Sequence, residues 1–273
     1  MTMDARVQRR VQRYGWDKAA AYYERFWARQ VEPAQRRMLE LAALTPGERV
    51  LDVACGTGLV TLPAAEAVAE GGSVLGTDIS DAMVRSVEDA VAARGLGWVT
   101  ARRMDAERLE LPDAAFDAAL CALGLMYVPD PLQALREIHR VLRPGGRVAL
   151  SVWGARDHCG WAEIFPIVER RVASEVCPLF FQLGTGDALA LNLEAAGFDR
   201  ITVERLPTTL EYESGADACG AAFAGGPVAL AYARFDERQR EEAHAEYLAS
   251  IAPHRRGEGF LVPGEFVVGV ARR

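Results

Sequence analysis

The sequence lacks three features that would each point to a class of protein: an excess of positive charge, a cysteine framework and a long apolar run. Its 273 residues carry 31 Lys and Arg against 38 Asp and Glu, which gives a formal net charge of -7. Proteins that bind nucleic-acid phosphates need basic surface, so we expect no nucleic-acid partner. No apolar stretch reaches the roughly 20 residues that a membrane helix needs, so we expect no membrane insertion.

Cysteine and histidine are too scattered to indicate a disulfide framework or a metal site. The cysteines stand at positions 55, 121, 159, 177 and 219, an odd number without C-x-x-C pairs or regular spacing. We interpret them as reduced thiols and expect a cytoplasmic protein. The histidines stand apart at positions 139, 158, 244 and 254. We therefore predict no metal site, although carboxylates alone could bind magnesium.

Short apolar runs alternate with helical patterns between residues 49 and 153, which is typical of successive βα units. The pattern predicts helix starts at Ser80 and at Asp130 with Pro131. One more helix and strand are predicted within 184–206, and a final strand at 264–272. We therefore predict an α/β fold with a doubly wound, mostly parallel, seven-stranded Rossmann-like sheet. Its first five strands are predicted near residues 49–54, 73–78, 98–104, 116–122 and 147–152.

The chain shows no internal repeat and no low-complexity linker, so we predict a single domain over residues 1–273. Residues 1–44 hold only helix-like patterns, and we interpret them as a helical N-terminal lid. Residues 45–153 form the predicted ligand-binding core. Residues 154–273 complete the sheet and carry helical insertions, among them a charged, Ala-rich block at 214–256.

The stretch "VLDVACGTG" at 50–58 places a predicted strand directly before Gly56 and Gly58, where the backbone can approach a ligand closely. The next strand ends in Asp78, where a carboxylate can accept hydrogen bonds from both ribose hydroxyls. The G-x-G-x-x-G dinucleotide fingerprint fails because its third position is Thr61. Asp52 suits a ligand that carries a positive amino group and a sulfonium. The pattern therefore predicts a ribose-containing ligand other than a dinucleotide.

Four motifs in order, "VLDVACGTG", "GTDIS", "MDAERLELPDAAFDAALC" and "VLRPGGRVAL", resemble the class I S-adenosylmethionine-dependent methyltransferases. The resemblance is to the type 11 branch, which includes the ubiquinone and menaquinone C-methyltransferases. It covers residues 45–153 and, weakly, 185–206. The chain departs from the common D-x-G-x-G-x-G loop by having Ala54 at the first glycine position. The resemblance implies S-adenosylmethionine as cofactor and S-adenosylhomocysteine as product.

The resemblance also implies roles for particular positions. Asp52, Gly56 and Gly58 would line the methionine moiety, and Asp78 would bind the ribose. Asp105 would accept from the adenine amino group. The implied cofactor-binding set is completed by residues beside these positions: Ala54, Ile79, Met83, Met104, Ala106, Cys121 and Leu123. Solvated turn residues remain an alternative for Asp52 and Asp78, a helix cap for Asp105, and plain core for Ile79.

The motifs report the cofactor and say little about the acceptor, because methyl transfer mainly requires alignment and sometimes removal of a proton. His158 and Tyr22 are candidate general bases, with Tyr14 and Tyr23 as further candidates and a structural role as the alternative for His158. The aromatic residues of 14–27 either form helix core or line an apolar acceptor pocket. The "CALGLMYVPD" segment lacks the Asn/Asp-Pro-Pro-aromatic pattern of enzymes that methylate base amino groups.

We therefore predict a methyltransferase acting on a small, hydrophobic or aromatic acceptor at oxygen, carbon or nitrogen. A non-catalytic S-adenosylmethionine-binding protein is the alternative from another class. A nicotinamide-dependent oxidoreductase is a third possibility, disfavoured by Thr61 and by the lack of a Tyr-x-x-x-Lys set.

Overall fold

A central sheet organises the chain in the computed structural model, which describes residues 4–172 and 180–273. Its strand order is β3-β2-β1-β4-β5-β8-β6, and the short β7 pairs with β8. Strands β1 to β5 pair in parallel, whereas β8 runs antiparallel to both β5 and β6. The strands are β1 (Arg49–Val53), β2 (Ser73–Asp78), β3 (Val99–Arg103), β4 (Phe116–Ala122), β5 (Leu142–Trp153), β6 (Asp199–Tyr212), β7 (Arg255–Arg256) and β8 (Gly259–Arg272).

This sheet confirms the predicted fold class. All seven predicted strands are present, and β7 adds only a two-residue hairpin partner for β8. The fifth strand begins at Leu142 instead of near residue 147, because Leu142 already pairs with Phe116. The pairing register then shifts before Arg147, and Gly145 there has a φ of 79°. The predicted turn in "RPGGR" is thus an irregularity within the strand.

Helices cover both faces of the sheet. The predicted helix starts are confirmed: the Ser80 side chain accepts from Met83 N, and Asp130 accepts from Gln133 N with Pro131 in the first turn. The helices are α1 (Ala5–Ala42), α2 (Thr61–Val68), α3 (Asp81–Arg94), α4 (Pro131–Val141), α5 (Ile164–Glu169), α6 (Ala188–Ala195), α7 (Gly215–Cys219), α8 (Ala229–Tyr232) and α9 (Glu237–Ser250). None of the helices in the described ranges has the length and apolarity to span a membrane.

Helix α1 is a single 38-residue helix that crosses the molecule. Its C-terminal half is held to β6 by polar contacts. The Arg37 guanidinium donates to both carboxylate oxygens of Glu204 at 2.8 Å, and the Gln30 amide exchanges hydrogen bonds with the Glu211 backbone. Its N-terminal half lies over the carboxyl ends of the parallel strands, which is where open α/β sheets bind ligands.

Candidate active site

A pocket lies between the carboxyl ends of β1 to β5 and helix α1. Most of its lining residues fall into two groups. The first group, here called the polar wall, follows the strand ends and consists of Ala54, Gly56, Thr77, Asp78, Ile79, Met83, Met104, Asp105, Ala106 and Leu123. The second group, here called the aromatic wall, consists of Trp16, Tyr23, Trp27, Tyr127, Trp153, Trp161 and Phe180.

The loop after β1 is shaped by left-handed backbone. Gly56 and Gly58 have φ values of 55° and 97°, which glycine adopts without strain. Ala54, at the position where a glycine was expected from the resemblance, has a φ of 57° and is therefore strained by about 1 kcal/mol or more. Its methyl group is accommodated by Gly124, because a Cβ at residue 124 would overlap the Ala54 Cβ. Alanine is therefore tolerated at position 54 because residue 124, which also lines the pocket, is a glycine.

Asp78 joins this loop to the end of β2. Its carboxylate accepts from Gly56 N at 3.0 Å and from Ser80 N at 2.9 Å. The side chain is 7% exposed, and burial raises its pKa to about 6. A carboxylate can accept more than two hydrogen bonds, so Asp78 retains capacity toward hydroxyl groups in the pocket.

Asp52 lies beneath the pocket and does not line it. Thr61 Oγ1 donates to Asp52 Oδ2 at 2.6 Å, while Oδ1 is buried without a hydrogen-bond partner. Burial raises the pKa of this carboxyl to about 7. Gly58 and Cys121 also lie outside the lining residues: Gly58 packs against Val87, and Cys121 is 1% exposed inside β4. The other nine residues of the cofactor-binding set implied by the resemblance do line the pocket.

Arg9 closes the end of the pocket beside Asp105. Its Nε lies 2.9 Å from Asp105 Oδ2 and 2.6 Å from Glu107 Oε2. Asp105 also accepts from Glu107 N at 3.0 Å, which fixes the carboxylate after β3. Sequence reasoning missed Arg9 because a basic residue near the start of an amphipathic helix is ordinarily solvated. Arg9 and Asp105 are 96 positions apart in the sequence, so no local pattern predicts their contact.

Two further contacts hold α1 against the start of α3. The Asp17 carboxylate accepts from Ser80 Oγ at 2.7 Å and from Ala82 N at 3.1 Å. A guanidinium nitrogen of Arg13 lies 2.5 Å from Asp81 Oδ2. A carboxylate at a helix N-terminus is favoured by the unpaired N–H groups there. Helix α1 is therefore attached at the edge of the polar wall.

The aromatic wall is a continuous network of ring contacts. Trp16 lies edge-on to Tyr127, with ring centroids 5.0 Å apart, and Tyr127 contacts Phe180 at 5.3 Å. Phe180 contacts Trp161 at 5.6 Å, and Trp161 contacts Trp153 at 4.9 Å. Sequence reasoning raised an apolar acceptor pocket only for the aromatic residues of 14–27. It missed the other rings, for which the only signal was the position of Trp153 at a strand end.

The two candidate bases lie outside this pocket. Tyr22 is 48% exposed on the outer face of α1, whereas its neighbour Tyr23 lines the aromatic wall. Successive residues of a helix point about 100° apart. Tyr22 therefore faces solvent while Tyr23, one position later, faces the pocket. His158 is held by Glu265, with Nδ1 2.7 Å from Oε2, and Arg205 contacts the same carboxylate at 2.6 Å. His158 therefore belongs to a half-exposed ion network behind Trp153.

The aromatic wall offers little acid–base chemistry. Its titratable side chains are Tyr23 and Tyr127, and burial raises the pKa of Tyr23 well above its ordinary value. Among residues 4–172 and 180–273, no imidazole or carboxylate belongs to this wall, and no cluster of His, Cys, Asp and Glu is suited to hold a metal ion. The arrangement can exclude water and align an apolar molecule.

Comparison with known proteins assigns the family. Residues 51–150 match a methyltransferase domain model. The chain is 38% identical to the nocamycin O-methyltransferase of Saccharothrix syringae over 136 residues, which are 50% of this chain and 49% of that enzyme. It is 44% identical to the ubiquinone/menaquinone biosynthesis C-methyltransferase of Azotobacter vinelandii over 191 residues, 63% of this chain and 74% of that enzyme. The chain belongs to the class I S-adenosylmethionine-dependent methyltransferases.

Solved structures agree with this fold. The YcgJ protein of Bacillus subtilis aligns with a TM-score of 0.63 at 15% identity, covering 89% of this chain and 98% of that one. Phosphoethanolamine N-methyltransferase 2 of Haemonchus contortus, solved with S-adenosylhomocysteine, aligns with a TM-score of 0.60 at 18% identity, covering 94% and 57%. At these identities the likeness concerns the fold. Among the curated relatives, the chain spans only about half of the nocamycin enzyme's length.

Proposed function

We propose that this chain transfers a methyl group from S-adenosylmethionine to a small apolar or aromatic acceptor. One observation carries the proposal: a single pocket joins the polar wall at the strand ends to the aromatic wall. A cofactor held on the polar wall and an acceptor held between the rings would share that pocket. The family and its motifs support the first half of this statement, and the ring network supports the second.

The residues of the polar wall fit the cofactor. Asp78 would accept from the ribose hydroxyls, and Asp105 from the adenine amino group. Asp52 has one carboxylate oxygen without a partner, directly below the loop that carries Gly56. Asp52 does not line the pocket, so its negative charge would favour the methionine ammonium group through space, from beneath the loop. When bound, the cofactor supplies an activated methyl group on a sulfonium.

The aromatic wall would supply alignment and a dry environment. Reactions that join two bound molecules gain most of their rate from positioning, and flat rings position flat apolar molecules well. The wall carries no imidazole, carboxyl or thiol side chain, and burial raises the pKa of Tyr23. This favours an acceptor that ionises without help from the protein, such as a phenol or an enol. The two relatives are named as an O-methyltransferase and a C-methyltransferase, which supports oxygen or carbon as the methylated atom.

The proposal is tested by incubating the purified chain with S-adenosylmethionine and 1-naphthol or 1,4-dihydroxynaphthalene. We expect formation of S-adenosylhomocysteine that depends on the acceptor, and a methylated product of matching mass. Binding of S-adenosylhomocysteine without turnover across phenol, enol and amine acceptors would favour the non-catalytic alternative. Binding of NAD in its place would instead favour the oxidoreductase.

A further inference from the structure

Arg9 of helix α1 lies between two carboxylates of different exposure. Its Nε is 2.9 Å from Asp105 Oδ2 and 2.6 Å from Glu107 Oε2. Arg9 and Asp105 both line the pocket, and each side chain is about one-third exposed. Glu107 does not line the pocket, and its side chain is only 5% exposed. One guanidinium therefore connects a carboxylate of the polar wall to a buried carboxylate outside it.

Glu107 is the fixed end of this arrangement. Its Oε1 accepts from Asp130 N at 3.0 Å, at the start of α4, and its backbone carbonyl accepts from the Gln133 side chain at 3.4 Å. A buried carboxylate needs a cation and further donors to offset the loss of solvation. Glu107 has both, so it provides a rigid support for Arg9.

Asp105 is less constrained than Glu107. Its Oδ1 accepts from Glu107 N at 3.0 Å, its Oδ2 faces Arg9, and each carboxylate oxygen can accept a second hydrogen bond. Without Arg9, the two carboxylates would lose the cation that they share and would repel each other. Because Glu107 is buried and Asp105 is partly exposed, Asp105 would turn toward solvent or take up a proton. Either change would weaken Asp105 as an acceptor at this end of the pocket.

We propose that Arg9 is a positioning residue for recognition of the adenine ring: it holds Asp105 as a charged acceptor for the adenine amino group and so selects adenine over purines that carry an oxygen at that position. This inference rests on the proposed function and deepens it. Arg9 acts through Asp105, and the inference requires no contact between Arg9 and the cofactor. Helix α1, which also contributes Trp16 to the aromatic wall, would thus set the base preference of the polar wall.

The test compares S-adenosylhomocysteine with S-inosylhomocysteine, in which a carbonyl oxygen replaces the amino group, by titration calorimetry. The parent should prefer the adenine compound by about 30-fold or more, and in Arg9→Met this preference should fall by about 10-fold. Arg13→Met is the matched control. Arg13 also ties α1 to the core, through Asp81 at 2.5 Å, but it does not line the pocket. Its loss should leave the preference unchanged, and equal falls in the two variants would overturn the proposal.

Two further variants separate positioning from a general structural role. Arg9→Lys keeps a cation for the two carboxylates and should hold the preference within about threefold of the parent. In an Asp105→Ala background, Arg9→Met should lower the preference no further, because the residue through which Arg9 acts is gone. A further fall there, or no rescue by lysine, would overturn the proposal. If Arg9→Met does not fold, Arg9→Gln removes the same charge, and the same fall is expected.

The parent protein separates this inference from the proposed function. Binding of S-adenosylhomocysteine with a preference that the Arg9 variants do not change would reject the role of Arg9 and leave the proposed function standing. Equal affinity of the parent for the two compounds would reject that role as well. Failure of the parent to bind S-adenosylhomocysteine would reject both.

Discussion

Asp52→Asn should make the empty protein more stable while weakening its hold on the cofactor. Asp52 is 1% exposed, and burial raises the pKa of its carboxyl from 3.8 to about 7. One pKa unit corresponds to about 1.4 kcal/mol, so at pH 8 the ionised group lowers the free energy of unfolding by about 4 kcal/mol. At pH 5 the folded protein holds the group protonated, and the penalty falls to about 2 kcal/mol.

The direction in which stability changes with pH follows from proton binding. Between pH 4 and 7 the folded state binds this proton more tightly than the unfolded state does, so stability decreases as the pH rises through that window. Asparagine carries no charge in either state, and its amide oxygen can still accept from Thr61. Urea unfolding followed by circular dichroism should therefore show the variant more stable than the parent, by about 4 kcal/mol at pH 8 and about 2 kcal/mol at pH 5.

The control is Asp117→Asn on the neighbouring strand β4. That carboxylate is also buried, yet it lies 2.5 Å from Arg143 and accepts from Arg49 N, so its removal should destabilise the protein. In titration calorimetry Asp52→Asn should bind S-adenosylhomocysteine about 10-fold more weakly, because the ligand's ammonium group would lose the attraction of a negative charge beneath the pocket. A variant no more stable than the parent at pH 8, or one whose advantage does not shrink at pH 5, would refute this reasoning.

Three further predictions separate pocket residues from their neighbours. Asp78→Ala should weaken S-adenosylhomocysteine binding about 30- to 900-fold in calorimetry, by loss of roughly 2–4 kcal/mol, whereas Asp89→Ala, on the exposed face of α3, should change it less than about twofold; equal losses would remove Asp78 from the ribose site. Tyr23→Ala should lower kcat/KM for 1-naphthol by about 10-fold or more through lost alignment, and Tyr22→Ala, on the exposed face, should leave it unchanged. His158→Ala should retain activity within about threefold, and a 100-fold loss would return His158 to the reaction.

The fold and most of the polar wall were accessible from the sequence because their signals are local. A parallel strand, the loop that follows it and its terminal carboxylate lie within ten residues of each other, as in the run from Val50 to Gly58. The strand order brings such loops to one edge of the sheet whatever the connecting helices contain. Reading the strands therefore places Asp78 beside Gly56 without knowledge of any long-range contact.

The aromatic wall could not be obtained in this way, because it is assembled from distant segments. Trp16 and Trp27 come from α1, Tyr127 from a turn after β4, and Trp161 from a turn after β5. Taken alone, each of these aromatic residues stands in a sequence pattern that an ordinary core residue would also fit. Whether Tyr22 or Tyr23 faced inward depended on the rotation of α1, which is set by contacts such as Arg37 with Glu204 near its far end. Sequence periodicity carries no information on that contact.

Helix α1 makes the two halves of the site interdependent. It contributes Arg9 beside Asp105 at the polar wall and Trp16 to the aromatic wall, and Asp17 binds the helix start that follows Asp78. A displacement of α1 would therefore alter the contacts of both ligands at once. Under linkage, whatever binding energy the cofactor gains from a closed α1 also favours the acceptor, and the reverse holds to the same extent. A helix that only covered the pocket would protect the methyl group from water. Because α1 contributes residues to both walls, it also couples binding of the cofactor to binding of the acceptor.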